Sequence, residues 1–178
     1  PKRCSRSAGP APICDRPESC RPKMHYYRCE HGQRNRELPD IQLGLLGKHQ
    51  AANGAVALAT CDCLREQGVP FEEEHLRRGL ERVSSSARIQ VLRWNPTVVL
   101  DTAHNDASIE ALLNVIRSSF PQRPRRLVFA TTRGKDVTGM LRRLIQHFDQ
   151  IVCTRYLSNP RSVPSGELCR KARRLAAD

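Results

Sequence analysis

Aromatic residues and long apolar runs are scarce in this sequence. Phe, Trp and Tyr together make up 4% of its 178 residues, and no apolar run approaches the ~20 residues that a membrane-spanning helix needs. Residues 1–36 also contain no apolar segment of the kind that secretory signal peptides carry. We therefore expect a cytoplasmic protein without membrane contact, built as one ordinary domain or as one domain with part of another.

Two glycine-rich phosphate-binding motifs are also missing. Neither Gly-x-Gly-x-x-Gly nor Gly-x-x-x-x-Gly-Lys-Ser/Thr occurs in the chain. Such motifs hold nucleotide phosphates on backbone N–H groups at the start of a helix. If a nucleotide binds here, groups other than a glycine loop of this chain must hold its phosphates.

The eight cysteines do not have the spacing of a zinc site. No Cys-x-x-Cys pair is present, and Cys61 and Cys63 are separated by a single residue within a helical pattern. We expect reduced thiols, with Cys61, Cys63 and Cys153 packed as small hydrophobic residues. A metal site at Cys29 and His31 is a weak alternative, so we predict no metal ligands in this chain.

The chain is strongly basic, with a formal net charge of +12 and a pI near 9.9. This charge favours anionic ligands, which include nucleotide phosphates, polycarboxylates and nucleic acids. The paired arginines have no interleaved aromatic residues on which bases would stack. A nucleic-acid-binding protein, which would bind with steep salt dependence, is therefore only a minor alternative. We expect small-molecule partners, no nucleic acid and a monomer.

The first half of the chain predicts an irregular lead-in followed by two helices. Prolines and charged residues over 1–37 argue against regular structure there, apart from a short strand at 24–29. The first helix covers 48–67 and is closed by Gly68. Alanines at helical spacing within it are typical of close packing. The second helix opens at Pro70 and ends near Val83.

Three polar residues stand in the first turn of the first helix. His49, Gln50 and Asn53 lie within about one turn of each other, so they could face a common ligand. The alternative is that they only satisfy the free backbone groups of the helix start.

Strands and helices alternate in the second half of the chain. A hairpin with its turn at Trp94–Pro96 precedes a regular series of elements, and this alternation predicts an α/β fold with a mostly parallel sheet and flanking helices. The expected elements are strands 88–92 and 97–100, helix 107–120, strand 126–130, helix 137–148, strand 150–154 and helix 166–176. Polar residues follow successive strands, which predicts a ligand-binding crevice at one edge of the sheet.

The loop after strand 97–100 carries Asp101, His104 and Asn105. A carboxylate at the end of a buried strand needs a partner to offset its desolvation, which favours a functional Asp101. The alternative is that Asp101 caps the following helix. For His104 the alternative is a loop histidine held by backbone groups.

Four sequence blocks resemble the folylpolyglutamate synthase and dihydrofolate synthase family of the Mur ligase superfamily. Leu45 to Gln50 with Asn53 is similar to its Leu-Gly-x-His-Gln-x-x-Asn block, and Arg88 stands at the arginine of its Pro-Gly-Arg strand. Leu100 to Asn105 resembles its Leu-Asp-Gly-Ala-His-Asn loop, and 134–136 resembles its Asp-Lys-Asp. By this resemblance, 38–86 is the tail of the central domain and 87–178 is a C-terminal Rossmann-like domain, incomplete at its C-terminus.

The resemblance implies an ATP-dependent ligase. ATP would phosphorylate a carboxylate of folate or dihydropteroate, and the amine of L-glutamate would attack the acyl phosphate to form an amide. The implied ATP-binding residues begin with Asn53 near the adenine and Arg88 and Asp101 at the nucleotide. His104 would face the reacting phosphate, with Asp101 the second catalytic candidate. Further candidates are Asn105, Lys135 and Asp136.

The chain departs from the family pattern at several positions. Ser86-Ala87 replaces Pro-Gly, Thr102 replaces a glycine and is expected to crowd its turn, Asp106 replaces a common proline, and Gly134 replaces an aspartate. The family's ATPase domain, with its P-loop and its Mg²⁺ ligands, is not in these residues. We therefore expect the isolated chain to be inactive. The alternative is a non-catalytic module that binds nucleotides or other anions.

Overall fold

The computed structural model describes residues 22–30 and 33–177. In chain order the elements are β1 (Lys23–Glu30), β2 (Gln33–Gln42), α1 (Lys48–Glu66), α2 (Glu73–Arg82), β3 (Gln90–Trp94), β4 (Thr97–Leu100), α3 (Asp106–Ser119), β5 (Arg126–Phe129), α4 (Val137–Ile145), β6 (Gln150–Cys153) and α5 (Ser165–Ala177). The described strands form three two-stranded sheets, β1–β2, β3–β4 and β5–β6. None of the described helices is long and apolar enough to cross a membrane.

The first sheet corrects the expected irregular lead-in. Residues 23–30 and 33–37 belong to a pair of antiparallel strands, which contains and extends the predicted short strand at 24–29. The prolines that argued for irregular structure stop at Pro22, whereas the alternation of buried Met24 and Tyr26 with exposed neighbours begins just after it. Residues 1–21 of the predicted lead-in lie outside the described residues.

The hairpin packs on α1 and α2 around its own apolar cluster. The buried residues of this cluster are Met24, Tyr26, Leu38, Ile41, Leu43, Leu58 and Leu76. The face of α1 that points inward carries Gln50, Gly54, Leu58 and Asp62. The predicted packing of the alanines in α1 is therefore only partly right, since Ala51 and Ala55 pack against the cluster while Ala52 and Ala59 are exposed.

The second half of the chain has the predicted α/β class. The strands β3 and β4 form the expected antiparallel hairpin, and β5 pairs with β6 in parallel, from Arg126 opposite Gln150 to Phe129 opposite Cys153. The other two pairs of described strands are antiparallel. Against the parallel pair, helices α3, α4 and α5 bury a core that consists of Ile109, Leu113, Phe129, Met140, Leu141, Leu144, Val163 and Leu168.

The outer face of the parallel pair is open in the described part of the chain. Val128 and Val152 stand opposite each other in the register and are 69% and 47% exposed. At the end of β6, burial and the neighbouring thiol of Cys169 on α5 raise the pKa of Cys153 to about 11. Cys153 is half-buried, as is Cys61, while Cys63 is exposed, so the expected packing of Cys63 is wrong.

Candidate functional site

A cavity of about 120 Å³ lies where α1 begins, β4 ends and α3 begins. Its walls include most of the polar residues singled out from the sequence. These are His49, Gln50, Arg88, Asp101 and His104, together with Ser108. Segments distant in sequence therefore meet at one place, which is the carboxyl end of β4.

Asp101 connects the segment before β3 to the loop after β4 through hydrogen bonds. One carboxylate oxygen accepts a hydrogen bond from the backbone N–H of Ile89 and the other accepts from that of Ala103, both at 2.7 Å. Asp101 does not cap α3, because Asn105 is the N-cap and its side chain accepts from the N–H of Ser108 at 2.9 Å. The carboxylate of Asp101 keeps further lone pairs that can accept from a ligand.

The backbone around Arg88 is unusual. Its neighbours Ala87 and Ile89 have φ values of 56° and 47°, in the left-handed region. This pair of bends buries Ile89, which is 2% exposed, and leaves Arg88 exposed on the cavity wall. The guanidinium of Arg88 makes no hydrogen bond or ion pair with the described residues, so its donors are available to an anion.

Thr102 fits its turn without crowding, contrary to expectation. Its backbone is not left-handed, and both its N–H, at 2.9 Å, and its hydroxyl, at 3.2 Å, donate to the carbonyl of Ala87. The family's glycine is therefore not required at this position by the backbone. The conformation that favours glycine lies instead at Ala87.

His104 stands at the junction of two clefts. Its Nδ1 donates to the carbonyl of Thr102 at 3.0 Å, and its backbone N–H donates to the hydroxyl of Ser108 at 3.0 Å. The backbone contacts given as the alternative for this histidine are therefore present. They leave Nε2 of this exposed side chain as a hydrogen-bond acceptor within reach of either cleft.

The second cleft, beyond His104, is lined by Thr132, Lys135, Tyr156, Leu157, Ser158 and Asn159. Lys135 brings an exposed ammonium group to it. The neighbouring Asp136 does not face a ligand, because its carboxylate caps α4 by accepting from the N–H of Gly139 at 2.8 Å. Lys135 is a candidate predicted from the sequence, whereas Tyr156 is not.

The polar residues at the start of α1 form a hydrogen-bonded series. His49 and Gln50 line the first cavity, and Asn53 is bonded to Gln50 rather than lining the cavity itself. Gly47, the N-cap, has φ 110°. A side chain there would lie 2.7 Å from the ring of His49, so this position requires glycine.

Some members of the site were missed from the sequence. Ser108 was not singled out, although a residue three positions after an N-cap Asn is the usual partner in a capping box, and the structure forms that box. In the described part of the chain, no group of three or more His, Cys, Asp or Glu residues lies close enough to hold a metal ion. His31 and the side chain of Cys29 lie outside the described residues.

Comparison with known proteins decides the family. The sequence model named Dihydrofolate synthetase, C-terminal domain matches residues 87–164. The dihydrofolate synthase/folylpolyglutamate synthase of Mycobacterium tuberculosis is 35% identical over 126 residues, which cover 70% of this chain and 26% of that protein. The chain belongs to the folylpolyglutamate and dihydrofolate synthase family. It corresponds to the C-terminal portion of these synthases.

Solved structures of folylpolyglutamate synthases have the same fold. The M. tuberculosis enzyme complexed with ADP matches with a TM-score of 0.70 at 34% identity, over 76% of this chain and 30% of that one. Escherichia coli FolC in complex with DHPP and ADP matches with a TM-score of 0.65 at 28% identity, over 76% of this chain and 31% of that one. The chain thus spans about a third of the length of these synthases.

Proposed function

We propose that the chain supplies one wall of the ATP site of a ligase that adds L-glutamate to folate or dihydropteroate through an acyl phosphate. The observation that carries the proposal is the meeting of Arg88, Asp101 and His104 in one cavity beside the start of α1. The M. tuberculosis and E. coli relatives were solved with ADP, and another with Mn, AMPPNP and L-glutamate.

Each side chain has a role that its contacts support. The guanidinium of Arg88 is unpaired and exposed, so it can bind phosphate oxygens in a bidentate manner. Asp101 is fixed by two backbone N–H groups, and it can accept hydrogen bonds from ribose hydroxyls. Asn105 holds the loop in place as the N-cap of α3.

His104 and Lys135 would serve the transfer step. The phosphoryl group would lie beside His104, which lines both the first cavity and the second cleft. In the second cleft, Lys135 can attract the carboxylates of L-glutamate. The glutamate amine would then attack the acyl carbon, and phosphate would leave as the amide forms. Positioning the amine and stabilising the phosphate charge are the main demands of such a reaction.

The family also implies Mg²⁺ beside the phosphates. The described residues offer no cluster of three or more carboxylate, imidazole or thiol groups for it. No step is therefore assigned to a metal held by this chain. With no phosphate-binding glycine motif in its sequence either, the 178-residue chain alone is proposed to bind nucleotide without turnover.

The assignment of 38–86 to a central-domain tail, the cytoplasmic location and the monomeric state belong to the same proposal. The matched relatives support the first of these assignments, because the similarity covers 126 residues of this chain and so extends beyond the C-terminal domain at 87–164.

Titration of the isotope-labelled chain with ADP tests the binding site. We expect amide shifts around Arg88, Asp101 and His104, and on the order of tenfold weaker binding for Arg88→Ala, the loss expected of a charge-assisted contact. Arg142→Ala, on the exposed side of α4, is the matched control and should bind like the original chain. Shifts confined to other surfaces would contradict the site.

Phosphate release tests the missing turnover. The chain is incubated with ATP, L-glutamate and a folate, and inorganic phosphate is measured against time. We expect no glutamate-dependent release. A release that depends on all three substrates would overturn the proposed inactivity while leaving the nucleotide site in place.

A further inference from the structure

Thr102 and Ala87 are joined by two hydrogen bonds to a single oxygen. The backbone N–H of Thr102 donates to the carbonyl of Ala87 at 2.9 Å, and the hydroxyl of Thr102 donates to the same carbonyl at 3.2 Å. A carbonyl oxygen has two lone pairs, so it can accept both donors together. Any residue except proline would supply the N–H at this position, whereas the hydroxyl requires a side chain such as that of threonine.

The loop after β4 holds the chain on both sides of Arg88. Thr102 donates to the carbonyl of Ala87, before the arginine, and Asp101 accepts from the N–H of Ile89, after it, at 2.7 Å. Ala87 and Ile89 both have left-handed backbones. Residues with a Cβ disfavour this conformation, so it persists only where the surrounding structure holds it. The bonds from Asp101 and Thr102 are contacts of this kind.

The direction of the Arg88 guanidinium depends on this backbone. Arg88 and Thr102 both line the first cavity. With no partner of its own among the described residues, the guanidinium is directed to the cavity by the conformation of 87–89. The strain of one left-handed residue and the net contribution of one hydrogen bond are of comparable size. Loss of the Thr102 hydroxyl would therefore increase the fraction of chains in which the guanidinium points elsewhere.

We propose that Thr102 is a positioning residue for Arg88, and that its hydroxyl keeps the guanidinium directed at the phosphates of a nucleotide in the first cavity. The proposal rests on the nucleotide site proposed above. Apparent affinity falls with the fraction of chains that are competent to bind, so loss of the hydroxyl should weaken the binding of a nucleotide. Adenosine has no phosphate for Arg88 to bind, and its affinity should not change.

Titration of Thr102 variants with ADP and with adenosine tests the proposal. Thr102→Val keeps the shape of the side chain but removes the hydroxyl, and we expect ADP affinity to fall about three- to fivefold, the effect of one hydrogen bond. Thr102→Ser keeps the hydroxyl and should restore the original affinity. Thr97→Val is the matched control, because the hydroxyl of Thr97 donates to the carbonyl of Trp94 at 2.9 Å in a turn outside the cavity.

A double-mutant cycle with Arg88→Ala separates positioning from direct contact. In the Arg88→Ala background, Thr102→Val should cause no further loss of ADP affinity, because the hydroxyl acts through the guanidinium. A loss that persists in this background would mean that the hydroxyl contacts the nucleotide itself, and it would overturn the proposal. Amide spectra show whether each variant is folded. If Thr102→Val is not, Thr102→Ala takes its place, since it removes the hydroxyl without placing a methyl group there.

The outcomes distinguish this proposal from the one on which it rests. An unchanged ADP affinity in folded Thr102→Val, or an equal fall for ADP and adenosine, overturns the positioning role but leaves the nucleotide site standing. An original chain that binds neither ligand, or that binds ADP without any contribution from Arg88, contradicts the proposed function and this inference together.

Discussion

At the scale of single residues, the site depends on backbone conformations that most side chains resist. Ala87 and Ile89 are both left-handed, and they direct Arg88 into the cavity from between them. A left-handed residue that carries a Cβ costs roughly 1–2 kcal/mol. Ala87 stands where the family sequence has glycine, so this chain holds strain at a position next to Arg88, the arginine proposed to bind the nucleotide.

Replacing Ala87 with glycine should stabilise the protein. Ala87→Gly removes the clash of the Cβ but adds about 0.4–1 kcal/mol of unfolded-state entropy, so we expect the free energy of unfolding to rise by up to about 1.6 kcal/mol. Urea denaturation measures it. Ala59→Gly, at an exposed right-handed position of α1, should instead lose about 1 kcal/mol. Equal losses in both variants would disprove the strain at Ala87.

Asp101 should contribute to stability as well as to binding. Asp101→Asn replaces one acceptor oxygen with an NH₂ that faces a backbone N–H donor, so we expect a loss of about 1–3 kcal/mol in the free energy of unfolding and weaker ADP binding. Asp106→Asn is the control, because that carboxylate is 60% exposed in its pair with Arg143 and should cost under about 1 kcal/mol. A loss no larger than the control's would mean that Asp101 does not fix the loop.

At the scale of elements, a buried charge joins the first hairpin to α1. The side chain of Asp62 is fully buried, and it pairs with Arg36 of β2 and, at 3.5 Å, with Arg65. Its other oxygen accepts from the hydroxyl of Tyr26 in β1 at 3.0 Å. Burial raises the pKa of Tyr26 and lowers that of Arg36. A buried carboxylate of this kind is costly unless every partner is in place.

Removing the hydroxyl of Tyr26 should therefore loosen the hairpin. Tyr26→Phe keeps the ring in the core but leaves one oxygen of Asp62 without its donor, and we expect a loss of about 1–3 kcal/mol in the free energy of unfolding. Tyr27→Phe changes a neighbouring tyrosine that is 39% exposed and should cost less. Hydrogen exchange should show faster opening of β1 in Tyr26→Phe alone.

The turn between α4 and β6 should give the protein a pH dependence. Burial, then the charges of Arg117 and Arg125, lower the pKa of His147. Between that pKa and the unfolded value of about 6.5 the unfolded chain binds more protons, so stability falls as the pH drops through this window. His147→Gln should reduce that fall in thermal denaturation between pH 7 and 5. The stability difference between the two proteins at pH 8 gives the effect of the substitution on packing, and it is subtracted from the differences at lower pH.

At the scale of the whole molecule, the sequence predicts structure that depends on neighbouring residues, but it does not predict contacts between residues far apart in the chain. The β3–β4 hairpin and the start of α3 follow from turn and cap residues near in sequence. Asp101 and His104 could be placed at the site because they follow a strand, whereas Arg88 was indicated only by the family resemblance. The burial of Asp62 could not be predicted, because its partners Tyr26 and Arg36 are 36 and 26 residues away. The first hairpin was obscured by its register shifts.

For Asp101, too, one feature could be predicted from the sequence and another could not. Its position after a strand was visible in the sequence, but its bond to Ile89 depends on two left-handed residues that no periodic pattern reveals. The hydrogen bonds of Gln50 to His49 and Asn53 likewise involve a buried glutamine, a residue type that is usually exposed and whose burial could not be predicted.

The open valine pair of the parallel strands has a consequence for handling the protein. Association through Val128 and Val152 would be driven by the release of water, a force that strengthens on warming from low temperature. We therefore expect light scattering by concentrated solutions to rise between 5 and about 30 °C, before unfolding begins, and to fall again on cooling. Val128→Thr should abolish the rise, and scattering that is greater in the cold would contradict it.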